Sequence, residues 1–136
     1  SDLTFATTIH DTMMQQLLIV DDNQKFLAVL QEFLSEYDGI NIARATSSGH
    51  EALEWAADNP PDLVIVDLWM PDMGGLELTR QVKSRWPEIP VIVLTLFDSE
   101  RHRQAAFDAG ANAFVAKSRM DSDLLPAIRQ LLGEPQ

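Results

Sequence analysis

No cysteine occurs in the 136 residues, which excludes a disulfide framework and any thiolate metal site and is compatible with a reducing compartment. No apolar run approaches the ~20 residues of a membrane span, and the start lacks the hydrophobic segment of a signal peptide. A cytoplasmic location away from membranes is the expectation. Basic residues are scarce, with ten Lys and Arg against twenty-one Asp and Glu and a net charge of -11. A surface of that sign repels phosphate backbones, so direct nucleic-acid binding is not expected. The three histidines, His10, His50 and His102, are far apart and are read as solvated or structural. The length excludes a second large domain, and hydrophobic residues at 46% with charged residues at 23% are the balance of an ordinary globular protein.

What is present is a rhythm. Short runs rich in Val, Ile and Leu begin near Leu17, Ile40, Leu63, Val91 and Ala113, each separated from the next by room for one helix. Four of them (Leu17 to Val20, Leu63 to Val66, Val91 to Leu94, Ala113 to Ala116) are nearly unbroken, as strands covered on both faces should be. The run from Ile40 to Arg44 alternates and is expected at a sheet edge. Between the runs, Phe26, Leu30, Phe33, Leu34 and Tyr37, and later Leu124, Ile128, Leu131 and Leu132, recur at helical spacings. Ser48 with Glu51 and Ser118 with Asp121 have capping-box spacing, and Gly39, Gly110 and Gly133 stand where helices should stop. Asn59-Pro60-Pro61 breaks the chain before the third strand. The pattern predicts an α/β fold with a doubly wound, five-stranded parallel sheet, flavodoxin-like, with strand order 2-1-3-4-5.

Ligands of open α/β sheets bind at the carboxyl ends of the strands. There the first strand ends in Asp21-Asp22, the third in Asp67, the fourth in Thr95 and the fifth in Lys117. Three carboxylates in one shallow site repel each other unless a cation is present. Few protein oxygens suit magnesium, which keeps several waters and shares its shell with phosphate. A carboxylate beside such a metal is a competent nucleophile for phosphorus, with Lys117 as a point charge and the Thr95 hydroxyl as a donor to the phosphoryl group.

The series Leu18-Ile19-Val20-Asp21-Asp22, Val64 to Pro71, Gly74-Gly75, Val91 to Thr95 and Phe114-Val115-Ala116-Lys117 resembles the receiver domains of bacterial response regulators. The resemblance runs from about Leu17 to Leu132 and is closest to the NarL/FixJ-like branch of two-component signalling. It implies that Asp67 is the phosphoacceptor, that Asp21, Asp22 and Asp67 hold Mg2+ with the Trp69 backbone carbonyl, and that a histidine kinase is the donor. It implies too that Thr95 and Phe114 form a switch pair, and that phosphorylation promotes a homodimer. Residues 1–15 are then a flexible arm, 16–133 the receiver domain and 134–136 the start of a linker or tail.

Three departures from the pattern stand out. Ser118 replaces a frequent proline, so no cis peptide is expected there. Leu96 and Trp69 are bulky at the rim and are expected to limit access to the site. The implied function is a phosphoacceptor that catalyses only its own phosphoryl transfer and slow autodephosphorylation, with transcription as output through a DNA-binding domain not contained in this chain. A stand-alone receiver acting through protein contacts is the alternative. A haloacid-dehalogenase type phosphatase needs a second Asp two residues past the nucleophile, where Trp69 stands. A flavodoxin-like cofactor binder needs a phosphate loop where Asp21-Asp22-Asn23-Gln24 stands. Asp72 is read as a solvated loop residue rather than a catalytic acid.

Overall fold

The computed structural model describes residues 14–133. The arm expected over 1–15 therefore lies outside the described residues up to residue 13, as does the tail at 134–136, while Gln15 already belongs to a strand. Five strands alternate with five helices: β1 (Gln15–Val20), α1 (Gln24–Ser35), β2 (Ile40–Thr46), α2 (Gly49–Asp58), β3 (Leu63–Val66), α3 (Gly75–Arg85), β4 (Val91–Thr95), α4 (Glu100–Asp108), β5 (Ala113–Ala116) and α5 (Met120–Leu132). All neighbouring strands pair in parallel, in the order β2-β1-β3-β4-β5.

The unbroken apolar runs follow from this arrangement, because alternate residues of one strand enter two different cores. Leu18 and Val20 join Val64, Val66, Val91 and Val93 on one face, with α2, α3 and α4 supplying Ala52, Leu53, Leu78, Val82 and Ala106. Leu17 and Ile19 point the other way, with Leu63, Ile65, Ile92 and Leu94, onto Leu27, Leu30 and Leu34 of α1 and Leu124 and Ile128 of α5. β2 lies at an edge, as its alternation predicts. Its register against β1 shifts between Leu17 and Leu18, whose partners are Ile42 and Arg44, so that Ala43 is skipped as at a bulge.

Caps account for most element boundaries. Asn23 accepts a hydrogen bond from the Phe26 amide and Ser48 from the Glu51 amide. The Ser118 cap does not form. Lys117–Arg119 winds into a 3-10 turn, α5 starts after Arg119 without a side-chain cap, and Arg119 instead donates to Asp123 at 3.0 Å. Gly110 follows α4 with φ 108°, the left-handed geometry that a glycine past a helix end supplies. The Lys83 ammonium then ties the end of α3 to the sheet, donating to the Pro87 and Ile89 carbonyls, both at 2.9 Å, and to Asn112 Oδ1 at 3.1 Å.

The strand order reverses around β1, with β2 on one side and β3 on the other. That leaves a crevice beyond the carboxyl ends of β1 and β3, where connections leave toward opposite faces of the sheet.

Candidate phosphoacceptor and metal site

The crevice collects the residues that the sequence singles out. Asp21, Asp22 and Asp67 each place a carboxylate oxygen within 4.8 Å of the others, the only such acidic or histidine group among the described residues. β1 and β3 are in register as they arrive, Val20 facing Val66, and the ladder continues past both strands because the Asp67 amide donates to the Val20 carbonyl at 3.0 Å. Asp21 is fixed twice. Its Oδ1 accepts the Asn23 amide at 2.9 Å and its Oδ2 receives the Lys117 ammonium at 2.8 Å.

Lys117 reaches the site from the end of β5 and is itself buried, with 8% of its side chain exposed. Its Nζ lies 4.0 Å from Asp67 Oδ2 and 4.0 Å from the centre of the Phe26 ring. An ammonium held between two carboxylates and an aromatic face is partly compensated for the water it has lost. Asp67 is less well compensated. Its Oδ1 is buried without a hydrogen-bond partner. Burial pushes its carboxyl above the usual carboxylate range and the charge of Asp21 adds to that, while Thr95, Lys117 and the Leu68 amide pull the other way. An oxygen that is buried, unpartnered and partly deprived of charge stabilisation is poised for an incoming electrophile or cation.

Thr95 is fully buried at the end of β4, and its Oγ1 accepts the Phe97 amide at 3.2 Å. Phe114 packs half-buried against the core from β5, paired in register with Val93, and the Arg103 guanidinium of α4 lies 5.9 Å from its ring centre and 5.2 Å from that of Phe107. The rim residues are as open as their positions imply, Trp69 being 67% and Leu96 70% exposed. The Trp69 and Phe97 rings stand 6.5 Å apart and, with Leu68, Leu76 and His102, line an open apolar groove beside the site.

Neither of the two described histidines joins the cluster. His50 pairs with Asp72, and His102 Nδ1 lies 2.7 Å from Ser99 Oγ at the start of α4, while His10 is outside the described residues. Asp72 is exposed in its loop, as its sequence reading has it, and its carboxylate is in addition engaged by the first turn of α2. Sequence reasoning also missed the setting of Phe26, which it treated as a core position of α1. The available signal was its place four residues after Asp22, in the first turn of the helix that leaves the acidic strand end.

A parallel sheet of this order with an acidic, lysine-bridged crevice at its switch point defines a receiver-type α/β signalling domain. The chain belongs to the response regulator receiver domain family, whose model matches residues 17–129. The response regulator protein VraR of Staphylococcus aureus is 34% identical over 118 residues, covering 87% of this chain and 56% of the relative. The chain thus spans a little over half the length of that relative. Among solved structures, a two-component response regulator of the LuxR family from an Aurantimonas species superposes with TM-score 0.83 at 25% identity, over 88% of this chain and 85% of that one. A CheY-like receiver domain protein from Methanospirillum hungatei superposes with TM-score 0.77 at 27% identity, over 88% and 94%.

Proposed function

We propose that Asp67 is the phosphoacceptor of this receiver and that a histidine kinase is its donor. Mg2+ would be held by Asp21, Asp22 and Asp67 together with the Trp69 backbone carbonyl. The observation that carries the reading is the meeting of three carboxylates within 4.8 Å around Asp67, whose Oδ1 has no partner. The donor set fits a hard cation, since every side chain in it offers oxygen. Bound magnesium would neutralise the cluster and the equatorial oxygens of the phosphoryl group.

The chain's own residues do the rest. Asp67 supplies the attacking oxygen, its O–P bond forming as the P–N bond to the donor histidine breaks and the imidazole leaves. Lys117, 2.8 Å from Asp21 Oδ2 and 4.0 Å from Asp67 Oδ2, is within reach of a phosphoryl oxygen on Asp67 and would pair with it as a point charge. Thr95 donates its hydroxyl to the phosphoryl group, and Phe114 follows it inward, which remodels the surface formed by α4 and β5. Residues 16–133 act as one such unit, in the cytoplasm, and its switched surface forms a homodimer. The chain is a signalling domain whose catalysis is limited to its own phosphorylation and slow dephosphorylation. Output through transcription is supported by the LuxR-family likeness.

Incubation with magnesium and a small phosphodonor tests this directly. One phosphoryl group per chain is expected by intact-protein mass spectrometry, and none without the metal. A chain that binds magnesium yet takes up no phosphoryl group is a receiver in fold only. Magnesium is also expected to raise the melting temperature of the parent and not that of Asp22→Asn, by mass action on the folded state. Equal shifts in the two proteins would contradict the metal assignment.

Phosphoryl lifetime depends on the rim. On this reading Leu96 and Trp69, bulky and exposed at the rim, hinder water approaching in line with the Asp67 oxygen, and a tenfold effect requires only about 1.4 kcal/mol on the barrier. Leu96→Ala is expected to shorten the half-life of the phosphorylated protein about tenfold or less, and Arg129→Ala, on the exposed side of α5, to leave it unchanged. The readout is loss of the phosphoryl group after the donor is removed. An unaltered half-life in Leu96→Ala would show that the rim does not gate water.

A further inference from the structure

The loop from Leu68 to Gly74 joins the Asp67 strand end to α3 and contains Trp69. Its base is firmly set. Met70 is buried in the core under α2 and α3, and the Gly75 amide donates back to the Leu68 carbonyl at 2.9 Å. Its tip is held by a different device. The Asp72 carboxylate accepts from Ser48 Oγ at 2.7 Å, from the Gly49 and His50 amides, both at 3.2 Å, and faces His50 Nδ1 at 3.0 Å.

All four partners belong to the start of α2, more than twenty positions earlier in the chain. A helix start leaves its first amides without intrahelical acceptors. Ser48 satisfies the Glu51 amide at 3.1 Å, and Asp72 takes the two amides that Ser48 leaves over. An acceptor with negative charge at that end is also favoured by the helix dipole. Met73 completes the contact by lying against Gly49, where an added Cβ would come within 3.0 Å of the Met73 Cβ and 3.3 Å of its Sδ. Burial raises the Asp72 carboxyl, but the bonds from Ser48, His50 and Gly49 outweigh it and hold the group ionised, well below the usual carboxylate range.

We propose that Asp72 is a positioning residue that clasps the tip of the Asp67 loop to the first turn of α2 and so holds the Trp69 backbone ready for the metal. The inference rests on the magnesium reading above. A loop pinned at its base alone samples arrangements that cannot bind, and the apparent affinity falls by the fraction of time spent in them. Asp72, Met73 and the absent side chain of Gly49 remove that freedom before the ion arrives. A residue that only capped α2 would change stability and leave metal affinity alone.

Magnesium titration by calorimetry separates the two roles, using the parent, Asp72→Ala, Asp72→Asn and Glu54→Gly. Glu54 is exposed on α2, away from the loop, so glycine there weakens the helix without touching the clasp. The expected result is magnesium binding about tenfold weaker in Asp72→Ala, intermediate in Asp72→Asn, which keeps one acceptor oxygen, and unchanged in Glu54→Gly despite a lower melting temperature. Parent-like affinity in Asp72→Ala, or equal weakening in Glu54→Gly, overturns the clasp and leaves the metal site standing. A parent that binds no magnesium at all overturns the metal reading, and the clasp with it.

Discussion

Asp67→Asn is expected to lose phosphorylation to background while making the metal-free protein more stable at neutral pH. The first effect follows from the chemistry. An amide offers no carboxylate oxygen to attack phosphorus, and removing a covalent nucleophile lowers a rate by at least about a thousandfold. The second follows from the setting of Asp67. Burial first, and the Asp21 charge next, push its carboxyl above its ordinary value of 3.8, and the opposing pull of Thr95 and Lys117 does not cancel them.

The folded chain therefore holds the Asp67 proton more tightly than the unfolded chain does. Stability falls as pH rises from about 3.8 through the folded-state value, and the whole cost is present above it. Asparagine carries no such cost. At pH 7 the variant should melt a few degrees higher, and the gain should vanish in acid below about pH 3.8, where both states of the parent are protonated. Thermal melts of both proteins across that range, without divalent metal, are the measurement. Coincident melting temperatures at every pH would mean that the buried charge is fully compensated.

Gly75→Ala is expected to destabilise the fold by about 3 kcal/mol or more, which is large for one methyl group. A Cβ at Gly75 would lie 2.0 Å from the Asp67 carbonyl oxygen, 2.7 Å from Leu68 Cα and 2.8 Å from the Asp67 carbonyl carbon. All three are backbone atoms, so no side chain can turn away. The first turn of α3 would have to lift from the end of β3, breaking the Gly75 to Leu68 hydrogen bond and dragging the phosphoacceptor with it. Gly74 is the control. A Cβ there meets nothing closer than the Leu68 oxygen at 4.0 Å, so Gly74→Ala should stay within about 1 kcal/mol of the parent. Urea unfolding of the two variants compares them, and similar midpoints would show that the close approach at Gly75 is not required.

The difference between these two glycines marks the limit of what the sequence shows. Gly74-Gly75 is visible as a pair, but which member touches the strand end depends on a loop closure between residues 67 and 75 that no spacing rule describes. The sheet itself was legible, because both-face burial leaves unbroken apolar runs and the single alternating run falls at the edge. The placement of Asp21, Asp22, Asp67, Thr95 and Lys117 was legible too, since each lies at or just past the end of a recognisable strand and a parallel sheet brings all those ends to one side. The clasp of Asp72 was not, for it joins two loops whose separation in space depends on how α2 and α3 pack. Ser118 misled for a related reason. Capping-box spacing is a local signal, and the 3-10 turn after Lys117 displaced the start of α5 by one residue beyond it. Phe26 showed the same limit, since helical periodicity identifies a buried face and does not tell which charge will lie on it.

On the reading proposed above, this crevice accepts a phosphoryl group on Asp67 with the help of a divalent ion. The most direct test is to phosphorylate the parent protein with a small phosphodonor, with and without magnesium, and to locate the added group by mass spectrometry of its peptides. A single modified residue, Asp67, is expected, and no modification when magnesium is withheld. A phosphoryl group found on Asp21, Asp22 or any histidine, or found on Asp67 equally well without the metal, would contradict it.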